Sequence, residues 1–99
     1  MADTDSEVHG FARKPNHHPR TAARVFGEEA VIISPAENMV RMLNPVGTRL
    51  WTLADGSRTV EEIAATLTEE FDVDLAHARE SASAFIEDLI GRELLVWAE

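Results

Sequence analysis

Ninety-nine residues, 44% hydrophobic and 27% charged, make one small globular domain and no more. The absence of cysteine excludes disulfides and thiolate chemistry, and no apolar run reaches the roughly 18–20 residues of a membrane span. The net charge of −9 is lopsided: residues 1–44 hold six acids against five bases, and residues 45–99 hold twelve against four. So acidic a C-terminal half repels a phosphate backbone, and nucleic acid is not an expected partner.

Residues 1–19 read as a flexible arm, because they mix charges with Gly10, Pro15 and Pro19 and have no helical or strand period. They also lack a signal-peptide core, which makes the cytoplasm the expected location. The ordered domain is expected over residues 20–99. Thr21–Phe26 and Glu29–Ser34 are short β-compatible runs around Gly27-Glu28, and glycine at the first central position suits a two-residue type II′ hairpin turn. Pro35-Ala36-Glu37-Asn38 signals a second turn, and Met39–Leu43 a third strand. Short strands joined by tight turns imply an antiparallel meander.

The period then changes. Asn44 is a good N-cap, Pro45 suits the first helical position, and Val46, Leu50 and Trp51 recur at helical spacing. Asp55-Gly56 stops that helix. Thr59-Val60-Glu61-Glu62 is a capping box that opens a second helix, with Val60, Ile63, Ala64, Leu67 and Phe71 on one face. Asp74 caps a third, whose apolar stripe is Leu75, Ala78, Ala82, Phe85, Ile86, Leu89 and Ile90. Leu94–Trp97 forms a short apolar tail of unspecified form. The class is α+β: a three-stranded antiparallel meander followed by three helices, an outline shared with a winged helix-turn-helix.

Catalytic signatures are missing. His9, His17 and His18 fall in the arm and His77 on the third helix, so no converging metal ligands are expected. His77 and Ser81 have i, i+4 spacing, but nothing supplies an oxyanion hole or nucleophile elbow. The acidic pairs Glu61-Glu62, Glu69-Glu70 and Glu87-Asp88 sit at helix ends or on exposed faces. Asp72 and Asp74 lack the glycine and distal glutamate of a calcium loop. Neither an enzyme nor a cofactor is expected.

One ordered series of residues does carry information. Leu43-Asn44-Pro45, Leu50-Trp51, Asp55-Gly56, Thr59-Val60-Glu61-Glu62-Ile63, Leu67 and Phe71, then Phe85-Ile86, Leu89 and Leu94-Leu95, resembles the PqqD family over roughly residues 20–96. A departure stands at Glu93, where that family often has glycine. The resemblance implies a non-catalytic module that binds the leader of a ribosomally made precursor peptide. It implies presentation of that peptide to a radical-SAM enzyme, a leader protease or a cyclase.

The mechanism it implies is β-augmentation of the third strand, Met39, Val40, Arg41, Met42 and Leu43. The other wall of the site is expected on the third helix, at Leu75, Ala78, Arg79, Ala82 and Ile86. Alternation places Met39, Arg41 and Leu43 on one face and Val40 and Met42 on the other. Leu43 is expected inward, which leaves Arg41 awkward unless it lies at the sheet margin and reaches a leader carboxylate. Each position also has a plainer reading: core packing for the methionines, helix propensity for the alanines, surface charge for the arginines. Trp51 is expected in the core, and Trp97 is open to a partner contact.

Two other functions share this outline. A winged-helix DNA reader would present Arg79 and Arg92 among Glu80, Glu87, Asp88 and Glu93, the wrong balance for a major groove. A docking subunit would bind an enzyme without a leader. The exposed strand edge also suggests a homodimer through edge pairing.

Overall fold

The computed structural model describes residues 11–34 and 38–98. Along them run β1 (Pro15–His17), β2 (Ala22–Phe26), β3 (Glu29–Ser34) and β4 (Met39–Leu43), then α1 (Pro45–Leu53), α2 (Val60–Glu70), α3 (Leu75–Gly91) and β5 (Leu95–Trp97). Strands β2-β3-β4 form the expected antiparallel meander, with β3 in the middle. Phe26 faces Glu29 across a two-residue loop. Gly27 has φ +63° while Glu28 keeps an ordinary negative φ, the type II′ pattern. Residues 35–37 of the second turn lie outside the described residues; Asn38 ends it at φ +53°, a conformation asparagine tolerates.

Each helix begins where its cap dictates. Asn44 Oδ1 accepts a hydrogen bond from the Gly47 amide at 2.8 Å, and Pro45 follows at the first position. The capping box is complete: the Glu62 amide donates to Thr59 Oγ1 at 3.1 Å, and the Thr59 amide donates to Glu62 Oε1 at 2.8 Å. Asp74 accepts from the His77 amide at 2.8 Å. Such caps each stabilise a helix by about 0.5–2 kcal/mol. The interior faces then meet as the period requires: Trp51, Ile63, Leu67, Ile86 and Leu89 are all buried in one core with Ala30 and Ile32 of β3. Val46 departs from its expected stripe and stays exposed.

The arm requires a correction. Pro15–His17, expected to be flexible, pair antiparallel with Leu95–Trp97, with Pro15 opposite Trp97, which also gives the apolar tail its form. The reason is tertiary. The carbonyls of Arg13, Lys14 and Pro15 accept hydrogen bonds from the amides of Val60, Ala98 and Gly56. His17 stacks on Trp51 at 4.0 Å between ring centroids, and its Nε2 lies 2.8 Å from the Trp51 carbonyl oxygen. Arg13 covers the Trp97 ring at 4.4 Å, so that tryptophan has an intramolecular partner. Gly56 is needed at this crossing: its φ is +88°, and a Cβ there would meet the Asn16 side chain at 3.0 Å. Residues 1–10 lie outside the described residues.

The departure at Glu93 falls just past the end of α3. The helix closes at Gly91, and Glu93 takes φ +61°, a left-handed position that glycine occupies at no steric cost.

The helices do not cover the sheet evenly. α1 packs against β3 and β4, whereas all five residues of β2 are exposed. A cavity of about 410 Å³ separates Val25, Gly27 and Glu28 of the β2–β3 hairpin from Arg49 and Thr52 of α1 and Glu70 of α2.

Candidate functional site: an open strand edge beside an apolar groove

With β3 in the centre, β4 is an edge strand. The tight turn decides which of its groups are free. In a two-residue hairpin the flanking pair, here Phe26 and Glu29, exchanges both main-chain hydrogen bonds, and pairing then alternates. Glu29, Val31 and Ile33 therefore bond to β2, while Ala30, Ile32 and Ser34 bond to Leu43, Arg41 and Met39 of β4. The N–H and C=O groups of Val40 and Met42 point the other way, to the open edge.

The same register fixes the faces. Met39, Arg41 and Leu43 lie opposite Ser34, Ile32 and Ala30, all buried, so this row faces the helices. Val40 and Met42 occupy the outer face and are exposed. Arg41 thus combines both sequence expectations: it stands on the inner face and on the marginal strand. Its Nε is shut off from solvent and has no hydrogen-bond partner among the described residues. A buried donor left in this way costs about 1–3 kcal/mol.

At the C-terminal end of β4 a groove of about 360 Å³ opens between α1, the end of α2 and α3. Leu50, Leu67, Ala78 and Ala82 line it with Val46, Phe71, Val73 and Phe85, and Asn44, His77 and Ser81 contribute its polar groups. Gly47 joins groove to strand: a Cβ on it would touch Leu43 Cβ and Phe85 Cζ, each at 3.5 Å. In a chain of net charge −9, no carboxylate among the described residues lines this groove. His77 Nε2 and Ser81 Oγ are 3.4 Å apart, a weak contact at an exposed helix face. Among the described residues no three His, Cys, Asp or Glu side chains gather as metal ligands, and no helix is long and apolar enough to cross a membrane.

The expected helical wall divides. Ala78 and Ala82 line the groove, Ile86 is fully buried in the core behind it, and Leu75 is part-exposed in the first turn of α3. Arg79 is held elsewhere. Its Nε and Nη2 donate to the two carboxylate oxygens of Glu61 on α2, each at 2.8 Å. That paired bond lowers the Glu61 pKa and raises that of Arg79. Arg49 and Glu70 repeat the arrangement between α1 and α2, with Glu70 lowered and Arg49 raised by the same bond. Arg92 is paired with Asp88. The two arginines that a DNA-reading α3 would present are therefore both engaged with carboxylates.

Sequence reasoning missed Val46, Phe71, Val73, His77, Ser81 and Phe85 as groove residues. Val46 carried a partial signal, an apolar side chain in the first turn of a helix, and it is exposed there. Phe71 and Phe85 read as core from their stripes, and only the splay of α1, α2 and α3 leaves them partly uncovered.

Comparison with known proteins bears on this geometry. The family described as coenzyme PQQ synthesis protein D (PqqD) matches residues 29–95. No curated protein matches the chain. Among solved structures, TbiB1 in complex with the TbiA(beta) leader peptide is similar at a TM-score of 0.75 and 24% identity, covering 81% of this chain and 93% of TbiB1. The PqqD part of Methylobacterium extorquens PqqCD, described as a functional, stand-alone recognition element for ribosomally synthesized and post-translationally modified peptides, is similar at a TM-score of 0.69 and 21% identity. That likeness covers 88% of this chain and 92% of the other. Likeness at these identities shows a shared fold, and the sequence match spans the strands, helices and tail that build the edge and groove: the chain belongs to the PqqD family.

Proposed function

We propose that this protein captures the leader segment of a ribosomally made precursor peptide as an added strand on β4 and presents it to a separate modifying enzyme, without doing chemistry itself. The observation that carries this reading is the open main-chain edge at Val40 and Met42 beside an uncharged apolar groove. Main-chain hydrogen bonds supply affinity that any extended peptide satisfies, and the groove selects an apolar side chain. Support comes from TbiB1, whose structure was solved with a leader peptide, and from the Methylobacterium extorquens domain described as a functional recognition element.

In this reading the binding surface comprises Met39, Val40, Arg41, Met42 and Leu43 with Ala78 and Ala82, and Leu75 extends it at the start of α3. Ile86 supports the groove from behind, and Arg79 braces α3 on α2 through Glu61. The receiving enzyme is a radical-SAM protein, a leader protease or a cyclase, and the encounter takes place in the cytoplasm. Two copies pairing through β4 would block the same edge, so a homodimer of that type competes with peptide.

Calorimetric titration with the leader half of the precursor peptide encoded beside the gene tests the proposal. One-to-one binding in the submicromolar range is expected, equivalent to more than about 8 kcal/mol. No heat with that leader, together with capture of a modifying enzyme in pull-down, would replace it with a docking-subunit reading.

A further inference from the structure

We infer that Arg41 is a carboxylate receptor, which requires an aspartate or glutamate at the position of the captured strand directly opposite it. This inference rests on the peptide-capture reading and adds a sequence requirement to it.

Arginines and acids are unevenly matched in this chain. The chain has 18 acids, and Arg49, Arg58, Arg79 and Arg92 each hold one of them. Arg41 holds none among the described residues, although its Nε is the buried one. That donor is left without an acceptor among the described residues. A partner brought from outside relieves it.

The strand register says where that partner arrives. Val40 and Met42 offer their main-chain groups to the open edge, so in an antiparallel added strand they form the hydrogen-bonded pairs. Arg41 then stands in the non-hydrogen-bonded pair between them. Residues so paired have Cα atoms about 4.5 Å apart and side chains on one face. That face is the inner one, shared with Ile32 and Leu43. A carboxylate there draws the Arg41 side chain round so that Nε leaves its closed position, and the guanidinium meets it side-on with two parallel hydrogen bonds, one from Nε. An apolar or basic residue at that position leaves the donor buried and unpaired, which discriminates against such peptides.

The test uses the intact protein and a displayed library of random linear peptides as the probe. Enriched peptides are expected to share an acid at fixed spacing from an apolar anchor. In one of them, Glu→Gln should weaken binding to the wild-type protein at least about tenfold, and binding to Arg41→Met by less than about twofold. The Arg41→Met protein should unfold at the same or higher urea concentration, because an apolar side chain replaces an unsatisfied buried donor. If it fails to fold, Arg41→Gln and Arg41→Lys complete the same cycle. Enriched peptides without a common acid, or equal losses on both proteins, overturn the role of Arg41 and leave peptide capture standing. No enrichment of any peptide overturns both.

Discussion

The sheet has two open edges, and they differ in how far the helices reach beneath them. The clearest contrast lies in a single row: Ala30 of β3 has Val25 of β2 on one side and Leu43 of β4 on the other. Leu43 is 8% exposed and Val25 is 54% exposed. Both edges present free main-chain groups, since Ala23 and Val25 of β2 point outward as Val40 and Met42 of β4 do. A strand added to β4 lays its inward side chains against the helices and leads to the groove. A strand added to β2 meets, on the same face, an open cavity instead of packed side chains. An edge supplies hydrogen bonds that water supplies almost as well, so selectivity has to come from what lies beneath it.

The row itself offers the strongest test. Leu43→Ala should destabilise the protein by about 2–5 kcal/mol, as large-to-small core changes do, and Val25→Ala by less than about 0.5 kcal/mol, as exposed changes do. Urea unfolding of the two variants measures both, and equal losses would break the contrast.

Proline at each edge comes next in size. Val40→Pro removes an outward N–H and leaves the β3–β4 ladder intact. It should weaken leader binding about 10–100-fold, the loss of one or two hydrogen bonds with some distortion. Val25→Pro should change binding less than about twofold, because it acts at the opposite edge of the sheet from β4. Titration calorimetry of the pair, with unfolding midpoints as controls, decides it.

A smaller effect is expected when the groove is filled and the edge is left alone. Ser81→Trp places an indole over Ala78 and Phe85 and should cost about tenfold in affinity, the order expected for losing one apolar anchor contact, with the unfolding midpoint unchanged. Binding that survives would assign affinity to the edge alone.

The smallest effect is with pH. Glu61 and Glu70 have lowered pKa values, through hydrogen bonds from Arg79 and Arg49. The unfolded chain therefore takes up protons before the native one does. Stability from these pairs is full above the ordinary glutamate range and fades as pH falls through it towards the lowered native values. The groups are exposed, so the change is modest. Glu61→Gln should flatten part of the decline in acid unfolding curves, whereas leader affinity at the β4 edge should not follow these two groups.

Much of this architecture was legible because its determinants are local. Asn44, Thr59 and Asp74 each cap the helix that the following residues form, and a cap works through its own next three residues. Gly27 determines a turn through its own φ. The site was legible in part. Alternation places Val40 and Met42 outward and Arg41 inward, but it cannot reveal that Arg79 is spent on Glu61, 18 residues away in sequence. Nor can the stripe of α3 reveal that Phe85 borders a groove while Ile86 next to it is sealed.

The amino-acid sequence by itself determined the order and type of the main elements, the helix starts, the hairpin turn and the alternation of β4, since each follows from interactions within a few residues or from a repeating period. The tertiary structure decided the rest. It made Pro15–His17 a strand by pairing it with the far end of the chain. It left β2 uncovered, opened the groove between three helices and stranded the Arg41 donor. These features depend on how separate elements pack, and side-chain periodicity records which face is apolar but not how far a neighbour extends across it.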